Sequence, residues 1–101
     1  MTETNNHIRK LLTIITEAAI ESVLVRDIEQ LGAHGYTVTD ARGKGSRGAR
    51  NAGWETSGNI HIEVVCDKGT AEAIAKHLQA RYYTNYAMIM FMTDVEVLRP
   101  E

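Results

Sequence analysis

The chain has 101 residues, a mass of 11.2 kDa and a formal net charge of −2, with 44% hydrophobic and 24% charged side chains. Those values describe one domain with one core, and they exclude intrinsic disorder, a fibrous repeat and a general nucleic-acid binder. The longest apolar run, from Ala87 to Met92, is far short of the roughly 20 residues of a membrane helix, and the sole cysteine, Cys66, makes no intramolecular disulfide. The stretch from Met1 to His7 is polar with no apolar signal segment, so a reducing cytoplasm is the expected compartment.

Residues 11–16 are apolar on both parities, Leu12 and Ile14 against Leu11 and Ile15, the pattern of a strand covered on two sides. From Ala18 the spacing turns helical through Ile20, Val23, Leu24, Ile28 and Leu31, until Gly32 and Gly35 stop it. Residues 36–41 alternate again as a second strand. Order returns at Ile60, Ile62 and Val64, a third strand ending near Cys66. Thr70 is the expected N-cap of a second helix with the stripe Ala71, Ile74, Ala75, Leu78 and Tyr82, and residues 86–98 form a long fourth strand. The order predicts an α+β, ferredoxin-like βαββαβ fold, a four-stranded antiparallel sheet with two helices on one face. The other sheet face carries enough apolar side chains to require a second subunit, so a homo-oligomer is expected.

Between strands two and three lies the segment that carries chemistry. From Ala41 to Trp54 it holds four cations (Arg42, Lys44, Arg47, Arg50), four glycines and no acidic residue, in a chain of net negative charge. Glycines let the backbone approach a ligand closely, and Arg offers forked donors matched to phosphate or carboxylate oxygens. This predicts an anion site on a mobile loop of about residues 41–58, self-repelling when empty and ordered when an anion neutralises it. The competing reading is a solvated hairpin connection. The segment lacks the spacing of a Gly-x-x-x-x-Gly-Lys-Ser/Thr phosphate loop and no helix follows it, which argues against a nucleotide hydrolase.

The run from Gly32 to Arg47, with Gly32, Gly35, Thr37, Val38, Gly43 and Gly45 in register, resembles the second strand and loop opening of PII signalling proteins. His61 to Val65 resembles their third strand, and Asp94-Val95 falls in a matching fourth, so the likeness spans nearly the whole chain. The extension from Gly43 through Arg47 to Arg50 is similar to the PII-like subgroup tied to inorganic carbon, including carboxysome-associated proteins and the partner of bicarbonate transporters. The resemblance implies a single-domain homotrimer that is not an enzyme. It implies clefts between subunits that take ADP or AMP, with ATP or cyclic AMP as further ligands, and bicarbonate beside them. In that frame Gly43 and Gly45 are the loop-opening glycines, and Lys44, Ser46, Arg47 and Arg50 contact phosphate or bicarbonate. His34 stands near the adenine, while Glu63, Val64 and Val65 on one side and Tyr86, Ala87, Met88 and Ile89 on the other line base and ribose.

Departures from ordinary PII proteins narrow the expectation. Around Tyr86 to Ile89 the glycine-rich turn and its lysine are missing, which disfavours tight ATP binding. Arg47 replaces the glutamine that helps hold 2-oxoglutarate, and no tyrosine lies between Asp40 and Ile60, which disfavours nitrogen sensing.

Other readings bear on the same residues. An RNA-binding ferredoxin-like domain needs exposed aromatics on the two middle strands, where Leu12, Ile14, Ile60 and Ile62 offer none. A phosphatase needs an acid or base beside its arginines, and the stretch from Ala41 to Trp54 has neither carboxylate nor histidine. His7, His34, His61, His77 and Cys66 lack metal-ligand spacing, so no metal is expected. Met88, Met90 and Met92 are expected to pack the trimer, Trp54 to meet a target or the ordered loop, and Cys66 to be a buried hydrophobe.

Overall fold

A computed structural model of the chain describes residues 7–43 and 58–98. The elements are β1 (Ile8–Glu17), a 3-10 turn (Ala18–Ile20), α1 (Glu21–Gln30), β2 (Thr37–Ala41), β3 (Asn59–Cys66), α2 (Lys68–Tyr82) and β4 (Met88–Glu96). The strands form one sheet in the order β2-β3-β1-β4 with every neighbouring pair antiparallel, and both helices cover one face, the ferredoxin-like arrangement expected. Among the described residues no helix is long and apolar enough to cross a membrane.

The period-2 rule settles which side chains meet the helices. Leu12, Ile14 and Thr16 of β1 and Ile60, Ile62, Val64 and Cys66 of β3 point into the core, against Ile20, Leu24 and Ile28 on one helix side and Ala71, Ile74, Leu78 and Tyr82 on the other. Burial of the Cys66 sulfur, with the Asp67 charge beside it, pushes the thiol pKa up and keeps it a hydrophobe.

Several boundaries differ from expectation for local reasons. β1 begins at Ile8, because the ladder runs from Ile8 opposite Glu96 to Thr16 opposite Met88 and backbone pairing carries Arg9 and Lys10 that no hydrophobic pattern marks. The first helix is not continuous from Ala18: a 3-10 turn precedes α1, which starts without a side-chain cap. The long fourth strand is shorter than residues 86–98, since Tyr86 still closes the end of α2 by donating its N–H to the Tyr82 carbonyl at 3.0 Å. Gly32 takes φ +114°, and its left-handed turn ends α1 as the sequence indicates.

Thr70 is not the cap of α2. Asp67 is, its Oδ1 accepting the Thr70 N–H at 2.7 Å. That bond holds the Asp67 carboxyl below its usual pKa range. Replacing Asp67→Ala is expected to lower stability in urea unfolding at neutral pH, because the Thr70 N–H loses its acceptor. A depressed folded pKa stabilises above the unfolded value and is lost below it, so the difference between the two proteins should shrink as pH falls below about 4.

Met88, Met90 and Met92 do not form the subunit-facing stripe. They oppose Thr16, Ile14 and Leu12, and so they lie on the core face, with Met88 buried. The same alternation turns Ile89 and Phe91 outward, 52% and 53% exposed, beside Leu11, Thr13 and Ile15 of β1 and Val65 of β3. The face away from the helices therefore carries an open apolar patch. Leu12, Ile14, Ile60 and Ile62, named above against RNA stacking, lie in the core instead. The outward residues of the middle strands are Leu11, Thr13, Ile15, His61, Glu63 and Val65, which again include no Phe, Tyr or Trp.

The helices are tied to each other through Asp27 of α1. Its buried carboxylate accepts the Tyr82 hydroxyl proton at 2.6 Å, with His77 Nε2 at 3.4 Å and Arg81 Nη1 at 3.7 Å. Burial, and then the hydrogen bond to Asp27, pushes the Tyr82 hydroxyl pKa up to about 12.

Candidate functional site

The sheet end that carries segment 44–57 is built by register. Ala41 closes β2 opposite Asn59, Asn59 stands opposite Glu17, and β4 starts one step earlier, with Met88 opposite Thr16. Both stems of the segment, Gly43 and Gly58, thus leave from the same end as the turn between α2 and β4. Gly43 is exposed, and among the described residues nothing lies within 4 Å of an added Cβ, so packing against them does not demand glycine there.

That turn is held at two points. Asn85 and Tyr86 donate backbone N–H groups to the Tyr82 carbonyl at 3.1 and 3.0 Å, and the Tyr86 ring meets the Tyr82 ring edge-on at 6.0 Å. Ala87 is gripped by β1: Thr16 Oγ1 donates to the Ala87 carbonyl at 2.7 Å, and Glu17 Oε2 accepts the Ala87 N–H at 2.7 Å. The residue after Glu17 reaches the other side, Ala18 N–H donating to the Gly58 carbonyl at 2.8 Å.

The other expected contacts lie elsewhere on the protomer. Glu63 and Val65 point out from the open face of β3, toward its Cys66 end, and Val65 is 49% exposed. Val64 is fully buried beneath the helices. His34 is exposed ahead of β2, close enough to Asp67 for its charge to help lower that carboxyl's pKa. Met88 points into the core, while Ile89 points out beside Ile15. One protomer therefore brings Gly43, Tyr86 and Ala87 to one sheet end and leaves His34, Glu63 and Val65 toward the other end of β2 and β3. Lys44, Gly45, Ser46, Arg47, Arg50 and Trp54 lie outside the described residues.

The open face also holds a histidine that the sequence marked only as part of a strand. His61, between Ile15 of β1 and Thr39 of β2, has a buried Nε2 without a hydrogen-bond partner among the described residues, 3.5 Å from Glu63 Oε2. Thr16 and Glu17 carried no signal either, since they read only as the polar end of a strand. Among the described residues no group of three His, Cys, Asp or Glu side chains is placed to hold a metal ion.

The model of the nitrogen regulatory protein P-II family matches residues 9–101. Among solved structures, a PII-like signalling protein from Thermus thermophilus is 42% identical, with 91% of each chain covered and a TM-score of 0.77. CPII from Thiomonas intermedia, solved with ADP, AMP and acetate, is 25% identical over 93% of this chain and 92% of its own, with a TM-score of 0.80. A further CPII structure, with ADP and bicarbonate, has a TM-score of 0.78 at 23% identity, covers 92% of this chain and 91% of its own, and speaks for the fold alone. A family match over nearly the whole chain, joined to a relative of 42% identity across nine-tenths of both chains, places this protein in the PII family.

Proposed function

We propose that the protein is a homotrimeric regulator that binds ADP or AMP in clefts between subunits, together with bicarbonate, and adjusts inorganic carbon uptake or metabolism through the state of its 41–58 loop. ATP and cyclic AMP are further candidates for the same cleft. The observation that carries this reading is the division of the expected contact residues between separate parts of one protomer, with an open apolar sheet face between them. Copies packed through that face bury Leu11, Ile15, Val65, Ile89 and Phe91, and set one protomer's turn against the next protomer's β2 and β3.

The ligand identities rest on similarity to CPII, solved with ADP and AMP. Chemistry in this sequence supports them: Lys44, Arg47 and Arg50 present charge-assisted donors, and Gly43 and Gly45 let main-chain N–H groups reach the same oxygens. Family members are signalling proteins, and the protein acts by binding rather than by turnover. A carbon-linked target such as a bicarbonate transporter, in a cytoplasmic setting, is the partner that the loop sequence suggests.

Calorimetry tests the reading. Titration with AMP and with ADP, each with and without bicarbonate, should give saturable heats, with ADP or AMP tightened by bicarbonate. No heat from any adenine nucleotide at millimolar concentration overturns the proposal.

A further inference from the structure

We propose that Glu17 is the positioning residue of the site, fixing the α2–β4 turn and the return stem of the 41–58 loop from one corner of β1; the inference rests on the reading that this turn meets the nucleotide. The ladder between β1 and β4 ends at Thr16 opposite Met88, so beyond it the Ala87 peptide has no strand partner. Two side chains substitute for the missing strand. Glu17 Oε2 takes the Ala87 N–H and Thr16 Oγ1 gives its proton to the Ala87 carbonyl, each at 2.7 Å, so both polar groups of one residue are held. A carboxylate acceptor makes the first bond charge-assisted, stronger than an ordinary amide pairing.

The corner also holds Gly58. Glu17 pairs with Asn59, and the next residue, Ala18, gives its N–H to the Gly58 carbonyl at 2.8 Å. A Cβ on Gly58 would stand 2.8 Å from the Ala18 Cβ, so the two backbones are as close as glycine allows. Two consecutive residues thus grip the turn on one side and the loop stem on the other. Glu17 has no other cap role, for its side chain makes no bond to the 3-10 turn that it precedes. A ligand seated on the turn reaches the loop stem through this corner without passing through the core.

The test compares ADP affinity in the full-length protein carrying Glu17→Ala and Glu17→Gln. Glu17→Ala removes the acceptor and should weaken ADP binding about tenfold, while Glu17→Gln keeps an acceptor oxygen and should stay within about threefold of the parent. A Glu17→Ala protein that binds ADP as tightly as the parent, or more tightly, overturns the proposal. Should Glu17→Ala fail to fold, Thr16→Val against Thr16→Ser poses the same question at the Ala87 carbonyl, with loss expected in Val and recovery in Ser. Amide exchange at Ala87 without ligand separates this inference from the functional reading. Even if the parent binds no nucleotide, Glu17→Ala should speed Ala87 exchange by about tenfold over the parent and Glu17→Gln should not, and equal rates in all three sink the corner.

Discussion

Replacing Phe91→Asp should leave a folded protomer that sediments as a monomer at micromolar concentration and gives no heat with ADP. Phe91 is already 53% exposed in one protomer, so a carboxylate there costs the protomer little. In the assembly it is expensive: each copy forfeits the burial of a phenylalanine, about 1.5–3 kcal/mol, and places a charge among Leu11, Ile15 and Ile89. Repeated at each interface, that is enough to separate subunits. Sedimentation velocity and circular dichroism on the same sample distinguish loss of assembly from loss of fold. A Phe91→Asp protein with the parent's mass and ADP affinity would show that this face is not where the copies meet.

The second large effect is expected at Asp27. Asp27→Ala leaves the Tyr82 hydroxyl buried without its acceptor and removes the charge that faces His77 and Arg81. Because the His77 and Arg81 side chains are partly solvated, most of the cost falls on the tyrosine, about 1–3 kcal/mol in urea unfolding. The same bond gives an alkaline signature. A hydroxyl whose folded pKa is raised from 10 to about 12 favours the folded state while protonated. Its contribution is therefore complete below about pH 10 and lost as pH rises to about 12. Tyr82→Phe should flatten that alkaline decline in stability. An unchanged pH profile in Tyr82→Phe would mean that the decline arises elsewhere.

How far the sequence could be read depends on where each decision is made. Element order and the core parity of β1 and β3 are written in local alternation, with Leu12, Ile14, Ile60, Ile62 and Val64 all inward. The parity of β4 is not, because Met88, Ile89, Met90, Phe91 and Met92 are apolar in both phases. Pairing with β1 decides it, setting Met90 opposite Ile14 and leaving Phe91 outside. The cap of α2 is ambiguous in sequence for a similar reason: Thr70 and Asp67 are both capping residues, and only the path of the chain past Gly69 shows which accepts the bond.

The site shows the same division. Charge and glycine density between Ala41 and Trp54 are visible in composition alone, and they are what suggests the proposed anion-binding segment. The hold of Thr16 and Glu17 on Ala87 spans about seventy positions of sequence and depends on β1 outlasting β4 by one residue, which no linear motif encodes. His61 has no metal-ligand spacing to mark it in the sequence. In the fold it is the ionisable neighbour of Glu63 on the face that the subunits are proposed to share.

Native mass spectrometry with ADP probes the core of the account most directly, since it counts subunits and nucleotides in one spectrum. Three copies of the chain carrying up to three ADP, with no nucleotide on any free protomer, is the expected pattern. A monomer that retains ADP, or a trimer that takes none across the millimolar range, would contradict it.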